Sequence, residues 1–321
     1  MDITVIGCGR WGSCIAWYLS HVKMHNVKLY GRTSSVEYQN FLNTRMNEYL
    51  ILPDEIILTD DLEYAVDSAQ IIVVSIGAQQ FRSFLRDLRE RVHPENKTFV
   101  LCMKGLEAGT GKRLTQVFNE EIGAGCSVAI WVGPGHVQDF YTGKPSCMMI
   151  GSDDIELTKM LVSEFNSSLI RFYYGQDLIG SEIGAAAKNV MGIAAGIIDG
   201  FGYESLKGAL MARGAREIAR LVRVMGGNEL TVYGLSHLGD YQATLFSEYS
   251  HNRMFGEKLI KGEKMDKLAE GVDTAKALVK LSILHNVDLP ISQAVYDVVF
   301  EAKNAAEVFD SLFDRENKFE F

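Results

Sequence analysis

The sequence is poor in the features that mark secreted, membrane-spanning, metal-organised and nucleic-acid-binding chains. It has five cysteines, Cys8, Cys14, Cys102, Cys126 and Cys147. The number is odd, all lie in the first half, and none forms a Cys-x-x-Cys pair. Neither a disulfide framework nor a metal centre is therefore expected, and free thiols point to a reducing, cytoplasmic compartment. The first residues lack a basic segment leading into an apolar one, so no secretion signal is expected. No uninterrupted apolar run reaches the roughly 20 residues that a membrane-spanning helix needs. Only five prolines occur in 321 residues, and there is no long linker, repeat or low-complexity stretch. An excess of positive charge is also missing. The net charge of -9 repels phosphate backbones and excludes nucleic acid as a partner. A small phosphorylated molecule would need a locally basic pocket.

What is present reads as two domains, the default for a chain of this length. In the first half, strand-like runs at Ile3–Ile6, Val27–Tyr30, Ile71–Ile76, Thr98–Met103 and Ser127–Val132 alternate with helical stretches such as Gly12–His21 and Phe81–Val92. The β-branched run Ile71–Ile76 suits a strand buried on both faces of a parallel sheet. Strand–helix alternation predicts an α/β fold with a Rossmann-type, doubly wound, mostly parallel sheet. The pattern changes near Gln176. Helical segments then cover Ile179–Ile198, Leu206–Met225, Asn228–Gly234, Arg253–Lys261, Ala269–His285 and Ile291–Phe300. The expected division is a nucleotide-binding domain over 1–178 and an all-helical C-terminal domain over 179–321.

Gly7-Cys-Gly9-Arg10-Trp11-Gly12 matches the GxGxxG fingerprint between a strand and a helix. The first glycine permits the tight turn, the second lets backbone approach a pyrophosphate, and the third lets helix and strand pack closely. Free N–H groups at the helix start then bind the diphosphate. A glycine turn without a ligand is the alternative. The second strand ends at Tyr30-Gly-Arg32-Thr-Ser-Ser, with no Asp or Glu to accept from a ribose hydroxyl. Arg32 with its neighbouring hydroxyls suits a 2′-phosphate, which favours NADP with NAD also usable.

In Ile183–Ile198 the only polar side chains are Lys188 and Asn189. A helix so apolar is buried, and a buried lysine must find a partner or lose its proton. The lowered pKa suits general acid–base chemistry near neutrality, although a Lys–Asp pair that only locks helices would leave the same trace. Lys104 follows a strand, at the carboxyl edge where doubly wound sheets bind ligands, and reads equally as a surface residue. Asp240, in Leu238-Gly-Asp-Tyr, could partner Lys188. Arg213, Arg216, Arg220 and Arg223 form one helix face, either solvated, paired with carboxylates or turned to a substrate. His237 and His251 lie in the same polar region.

Taken together, these residues resemble the bacterial type of NAD(P)-dependent glycerol-3-phosphate dehydrogenase. The resemblance runs in order through Trp11, Asn47-Glu-Tyr49-Leu50, Lys104-Gly105-Leu-Glu107, Gly184–Gly196 and Asp199-Gly-x-Gly202. It continues through Leu210-x-x-Arg213-Gly214, Gly239-Asp240, Ser250, Asn252-Arg253, Gly256, Glu270-Gly271 and Leu289-Pro-Ile291 with Val295-Tyr296. It implies interconversion of dihydroxyacetone phosphate and sn-glycerol 3-phosphate, the backbone precursor of phospholipids, by a homodimer. It further implies Lys188 as the catalytic lysine, with Lys104, Asp240 and Asn189 beside it. Cofactor contacts would fall on Gly7, Gly9, Arg10, Trp11, Gly12, Arg32, Lys104, Gly133, His251 and Glu270. Substrate contacts would fall on Lys104, Gly133, Lys188, Asp240, Ser250, His251 and Asn252.

The chain departs from that pattern at four places. Ser250-His251-Asn252 stands for Ser-Arg-Asn, Gly133-Pro134-Gly135-His136 for Gly-Pro-Ser-Phe, Ile76-Gly77-Ala78 for Val-Pro-Ser, and His237 for the first glycine of Gly-Leu-Gly-Asp. A histidine is shorter than the arginine it replaces and only partly charged at neutral pH. Either His251, His136, Arg253 or Arg10 serves the same phosphate, or the pocket takes another small carbonyl compound, such as a keto acid. A non-catalytic NAD(P) sensor is the third reading, against which the costly buried lysine argues.

Overall fold

The computed structural model describes residues 1–123, 125–265, 269–317 and 319–320. Among the described residues, eight strands form one sheet: β1 (Asp2–Ile6), β2 (Asn26–Tyr30), β3 (Ile57–Thr59), β4 (Ile71–Val74), β5 (Thr98–Leu101), β6 (Ser127–Val132), β7 (Ser146–Gly151) and β8 (Ile170–Gly175). Their order is β3-β2-β1-β4-β5-β6-β7-β8. β1 to β6 pair in parallel, β7 runs antiparallel to β6, and β8 is parallel to β7. Chain order reverses at β1, between β2 and β4, and this is where a doubly wound sheet opens its crevice. β4 is buried at every residue because helices cover both faces of the sheet.

Three strands lie outside the sequence expectation. β3 has only three residues. β7 is Ser-Cys-Met-Met-Ile-Gly, without the β-branched density that marks β4. β8 is an edge strand in which buried Ile170 and Phe172 alternate with exposed Arg171 and Tyr173. The strands read as Ile71–Ile76 and Thr98–Met103 also stop early, at Val74 and Leu101, and their last residues enter loops.

Helices α1 (Arg10–Trp17), α2 (Val36–Thr44), α3 (Leu62–Asp67), α4 (Phe81–Arg91), α5 (Leu114–Glu121), α6 (Val137–Tyr141) and α7 (Ile155–Phe165) cover the sheet. After Gly175 no strand follows among the described residues. The rest is α8 (Leu178–Gly200), α9 (Lys207–Val224), α10 (His251–Ile260), α11 (Glu270–His285), α12 (Pro290–Phe300) and α13 (Ala305–Asp310). The stretch read as a helix at 228–234 is a 3-10 turn, Glu229–Tyr233. Among the described residues, no helix is long and apolar enough to cross a membrane.

α8 is the hub of the helical half. Asp177 caps it, accepting from the Gly180 N–H at 3.0 Å. Its small residues let neighbours approach the backbone. A Cβ on Gly196 would stand 1.9 Å from the Arg253 carbonyl oxygen of α10, and one on Gly256 of α10 would stand 2.1 Å from that of Ile193. A Cβ on Gly271 of α11 would come within 2.6 Å of the Asn189 carbonyl oxygen. Lys188 is thus fixed on a helix gripped from two sides.

Candidate active site

The loops that leave β1, β4 and β5 meet α8, α10 and the 238–246 segment around one cleft of about 890 Å³. Gly7 holds φ +112°, and a Cβ there would strike the Ser75 carbonyl oxygen at 2.2 Å. A Cβ on Gly12 would strike the Gly7 carbonyl oxygen at 2.0 Å. Around Gly9, by contrast, a Cβ would meet nothing within 4 Å. Gly7 and Gly12 therefore make the turn and the packing, while the Gly9 side faces open space. Trp11 also lines the cleft, and its indole N–H is buried without a hydrogen-bond partner. Open backbone at a helix start beside an unanswered donor fits a dinucleotide pyrophosphate.

The charged centre lies opposite. Lys188 and Lys104 share one oxygen of Asp240: Oδ2 is 3.1 Å from Lys188 Nζ and 2.6 Å from Lys104 Nζ. Asp240 is only 1% exposed, so this carboxylate sees the two ammonium groups rather than water. Lys104 also donates to the Gly133 carbonyl at 2.7 Å, and Asn189 Nδ2 donates to the Lys104 carbonyl at 2.8 Å. Burial lowers the Lys188 pKa to about 8; Asp240 opposes that fall and Lys104 adds to it. Glu270, at the start of α11, lines the cleft near both lysines, and burial raises its carboxyl to about 7 against their pull.

Sequence reasoning missed Thr244. Its hydroxyl accepts from Lys188 Nζ at 2.8 Å and donates to the Asp240 carbonyl at 3.0 Å. The only signal was its place four residues after Asp240, the spacing of one helical turn.

Of the other candidates, Arg10, Arg32, Ser250, His251 and Asn252 line the same cleft. Ser250 caps α10 by accepting from the Arg253 N–H, and Asn252 Oδ1 accepts from the Gly271 N–H at 2.9 Å, joining α10 to α11. His136 also lines it, and burial lowers its pKa, with Arg10 adding to the effect.

Two expectations need correction. Arg253 is not free for a phosphate: it pairs with Asp199 at 2.7 Å and Glu257 at 3.0 Å and donates to the Ser247 carbonyl. His237 does not face the pocket but is wholly buried between α8 and the Asp240 turn. Its Nδ1 lies 2.7 Å from the Gly184 carbonyl oxygen and its Nε2 2.6 Å from the Tyr241 hydroxyl. Since a carbonyl only accepts, Nδ1 carries the proton and Tyr241 donates to Nε2. Burial lowers this histidine to about 4 and keeps it neutral. The arginine face of α9, which the sequence left open between solvent, carboxylates and substrate, lies away from the cleft and is in part paired with a carboxylate. Arg216 and Arg223 approach Glu229, Arg220 donates to the Asp288 carbonyl, and Arg213 lines a separate cavity.

His21 and His25, four residues apart, pack on Trp17 and Phe165. No group of three His, Cys, Asp or Glu side chains among the described residues is placed to hold a metal ion.

Comparison with known proteins agrees over the whole length. Residues 2–158 match the family model for the N-terminus of NAD-dependent glycerol-3-phosphate dehydrogenase, and residues 177–310 match that for its C-terminus. A glycerol-3-phosphate dehydrogenase [NAD(P)+] of Geobacillus kaustophilus is 37% identical, over 99% of this chain and 95% of its own. One from Chlorobium phaeobacteroides is 36% identical, over 99% and 98%. The crystal structure of glycerol-3-phosphate dehydrogenase from Coxiella burnetii superposes with a TM-score of 0.91 at 25% identity, over 98% of this chain and 99% of that one. D-mandelate dehydrogenase, at 15% identity and a TM-score of 0.64, shares the fold alone. With both halves matched in order and relatives aligned end to end, the chain belongs to the NAD(P)-dependent glycerol-3-phosphate dehydrogenase family.

Proposed function

We propose that this chain interconverts dihydroxyacetone phosphate and sn-glycerol 3-phosphate with NAD or NADP, at a step that feeds phospholipid synthesis. The observation that carries the reading is the Lys188–Asp240–Lys104 cluster, desolvated and set across one cleft from the glycine loop. Bound in that cleft, the nicotinamide would supply or accept the hydride at the substrate's carbonyl carbon. Lys188 moves the proton: as ammonium it protonates the forming alkoxide, and as free amine it takes the hydroxyl proton in the reverse direction. Asp240 and Thr244 hold its Nζ in place. Lys104, oriented by Asn189 and Gly133, adds positive charge at the substrate oxygens and favours the neutral amine at Lys188.

Ser250, His251 and Asn252, at the first turn of α10, receive the phosphate where helix amides favour an anion. Arg10, Trp11 and Arg32, with Gly7, Gly9 and Gly12, form the dinucleotide side, and His251 and Glu270 meet the cofactor from the side of the charged centre. Gly133 is buried outside the cleft lining and acts only through Lys104, whose Nζ donates to its carbonyl. Residues 1–178 carry the cofactor and 179–321 the proton chemistry. The working unit is a cytoplasmic homodimer.

The direct test is the initial rate of NADH and NADPH oxidation with dihydroxyacetone phosphate. Absence of turnover with both cofactors would overturn the substrate assignment. The pH dependence follows from Lys188. Reduction needs its ammonium form, so kcat should hold below pH 8 and fall as pH rises through about 8. Oxidation of glycerol 3-phosphate needs the amine, so its rate should rise over the same interval. Parallel profiles in the two directions would mean that Lys188 is not the proton carrier. Arg32→Ala should weaken NADPH binding more than NADH binding, measured by titration of the bound-cofactor fluorescence. Equal weakening would mean that Arg32 does not read the 2′-phosphate.

A further inference from the structure

β2 ends without the carboxylate that ordinarily accepts from an adenosine ribose, and the fold supplies one from the next element. Ser35 caps α2, accepting from the Tyr38 N–H at 3.3 Å. Glu37, in the first turn of that helix, enters the wall of the cleft together with Arg32 and Ser35. The Ser35 hydroxyl donates to Glu37 Oε2 at 2.7 Å and holds the carboxylate. Its charge is felt at the glycine loop. The buried Cys8 thiol, next to Gly7 and under Gly31, is pushed up to about 12, by burial first and by Glu37 second. A strand-end carboxylate would act at this same spot, between the β2 exit and the glycine loop.

We propose that Glu37 is the cofactor-selecting carboxylate of this protein, accepting from the ribose hydroxyls of NAD and opposing the 2′-phosphate of NADP. The inference rests on the dinucleotide reading of the cleft. Glu37 and Arg32 then act in opposite senses at one end of the cleft, and this opposition lets the chain use either cofactor rather than NADP alone. A carboxylate in a first helical turn also favours the helix by itself. That role would affect stability but would not distinguish one dinucleotide from the other.

The experiment is fluorescence titration of the full chain with NADH and with NADPH, for wild type and Glu37→Gln, with melting temperatures alongside. Glu37 is exposed, so the substitution is expected to leave the fold intact. Loss of a charge-assisted hydrogen bond predicts about tenfold weaker NADH binding, and removal of a like charge predicts NADPH binding unchanged or several-fold tighter. A Kd ratio that stays within about twofold of wild type, whatever the melting temperature does, would overturn the assignment, because tenfold is the size of one such bond. If wild type binds neither dinucleotide, the reading of the cleft itself falls and this inference with it. Binding of both with an unmoved ratio removes only the role of Glu37.

Discussion

Lys188→Met is expected to lower kcat by about 10³-fold or more, with NADH and NADPH affinities close to wild type, because removing a positioned general acid–base group typically costs 10²–10⁴. Methionine keeps most of the side-chain length and buries without penalty. Asp240 would still hold Lys104 at 2.6 Å, so the change strands no carboxylate in the interior. Removal of a desolvated ammonium also relieves a cost, and the melting temperature should hold or rise. This sign separates two roles for the same geometry. A lysine kept only to lock α8 to the Asp240 turn would, on substitution, lower the melting temperature and leave appreciable turnover. Steady-state rates with dihydroxyacetone phosphate, taken with a thermal melt, distinguish them. Activity within about tenfold of wild type, below the range ordinarily seen for a lost acid–base group, would return Lys188 to a structural role.

Much of this site was legible because its signals are local. The glycine loop is six consecutive residues between a strand and a helix, and Lys188 stands out as a charge within an Ala/Gly-rich run. The same holds for β4, whose burial on both faces is written in Ile-Ile-Val-Val. What stayed hidden depends on residues far apart in the chain. Nothing local to Lys104 shows that it shares an oxygen with Lys188, since Asp240 lies 136 residues on. His237 reads as a polar loop residue until the fold buries it between the Gly184 carbonyl and Tyr241. The end of β2 carries no carboxylate, and only the packing of α2 brings Glu37 to the cleft wall. β7 escaped because methionine and cysteine carry little strand signal and its pairing partners supply the stability. Ile-Arg-Phe-Tyr-Tyr of β8, by contrast, does carry an alternating, aromatic strand pattern that the sequence reading passed over.

The close approach of α8 and α10 should prove the least tolerant feature of the helical half. Gly196→Val is expected to destabilise the protein by about 3 kcal/mol or more, because the new atoms meet backbone and no rotamer change relieves the clash. The Cβ alone would stand 1.9 Å from the Arg253 carbonyl oxygen. The two helices must then part, and Ser250, His251 and Asn252 at the head of α10 move relative to Lys188. Where the variant folds, the KM for dihydroxyacetone phosphate should rise more than the Kd for NADH, since the glycine loop lies on β1 and α1 and is untouched. Gly208→Ala is the control. Gly208 sits on α9, and a Cβ there would meet nothing within 4 Å, so alanine should be neutral or stabilise by up to about 1 kcal/mol through helix propensity. A melting temperature that falls for Gly208→Ala as much as for Gly196→Val would show that helix glycines here act through something other than contact. A fall confined to Gly196→Val, together with the rise in KM, would tie the small residues of α8 to the placement of the first turn of α10.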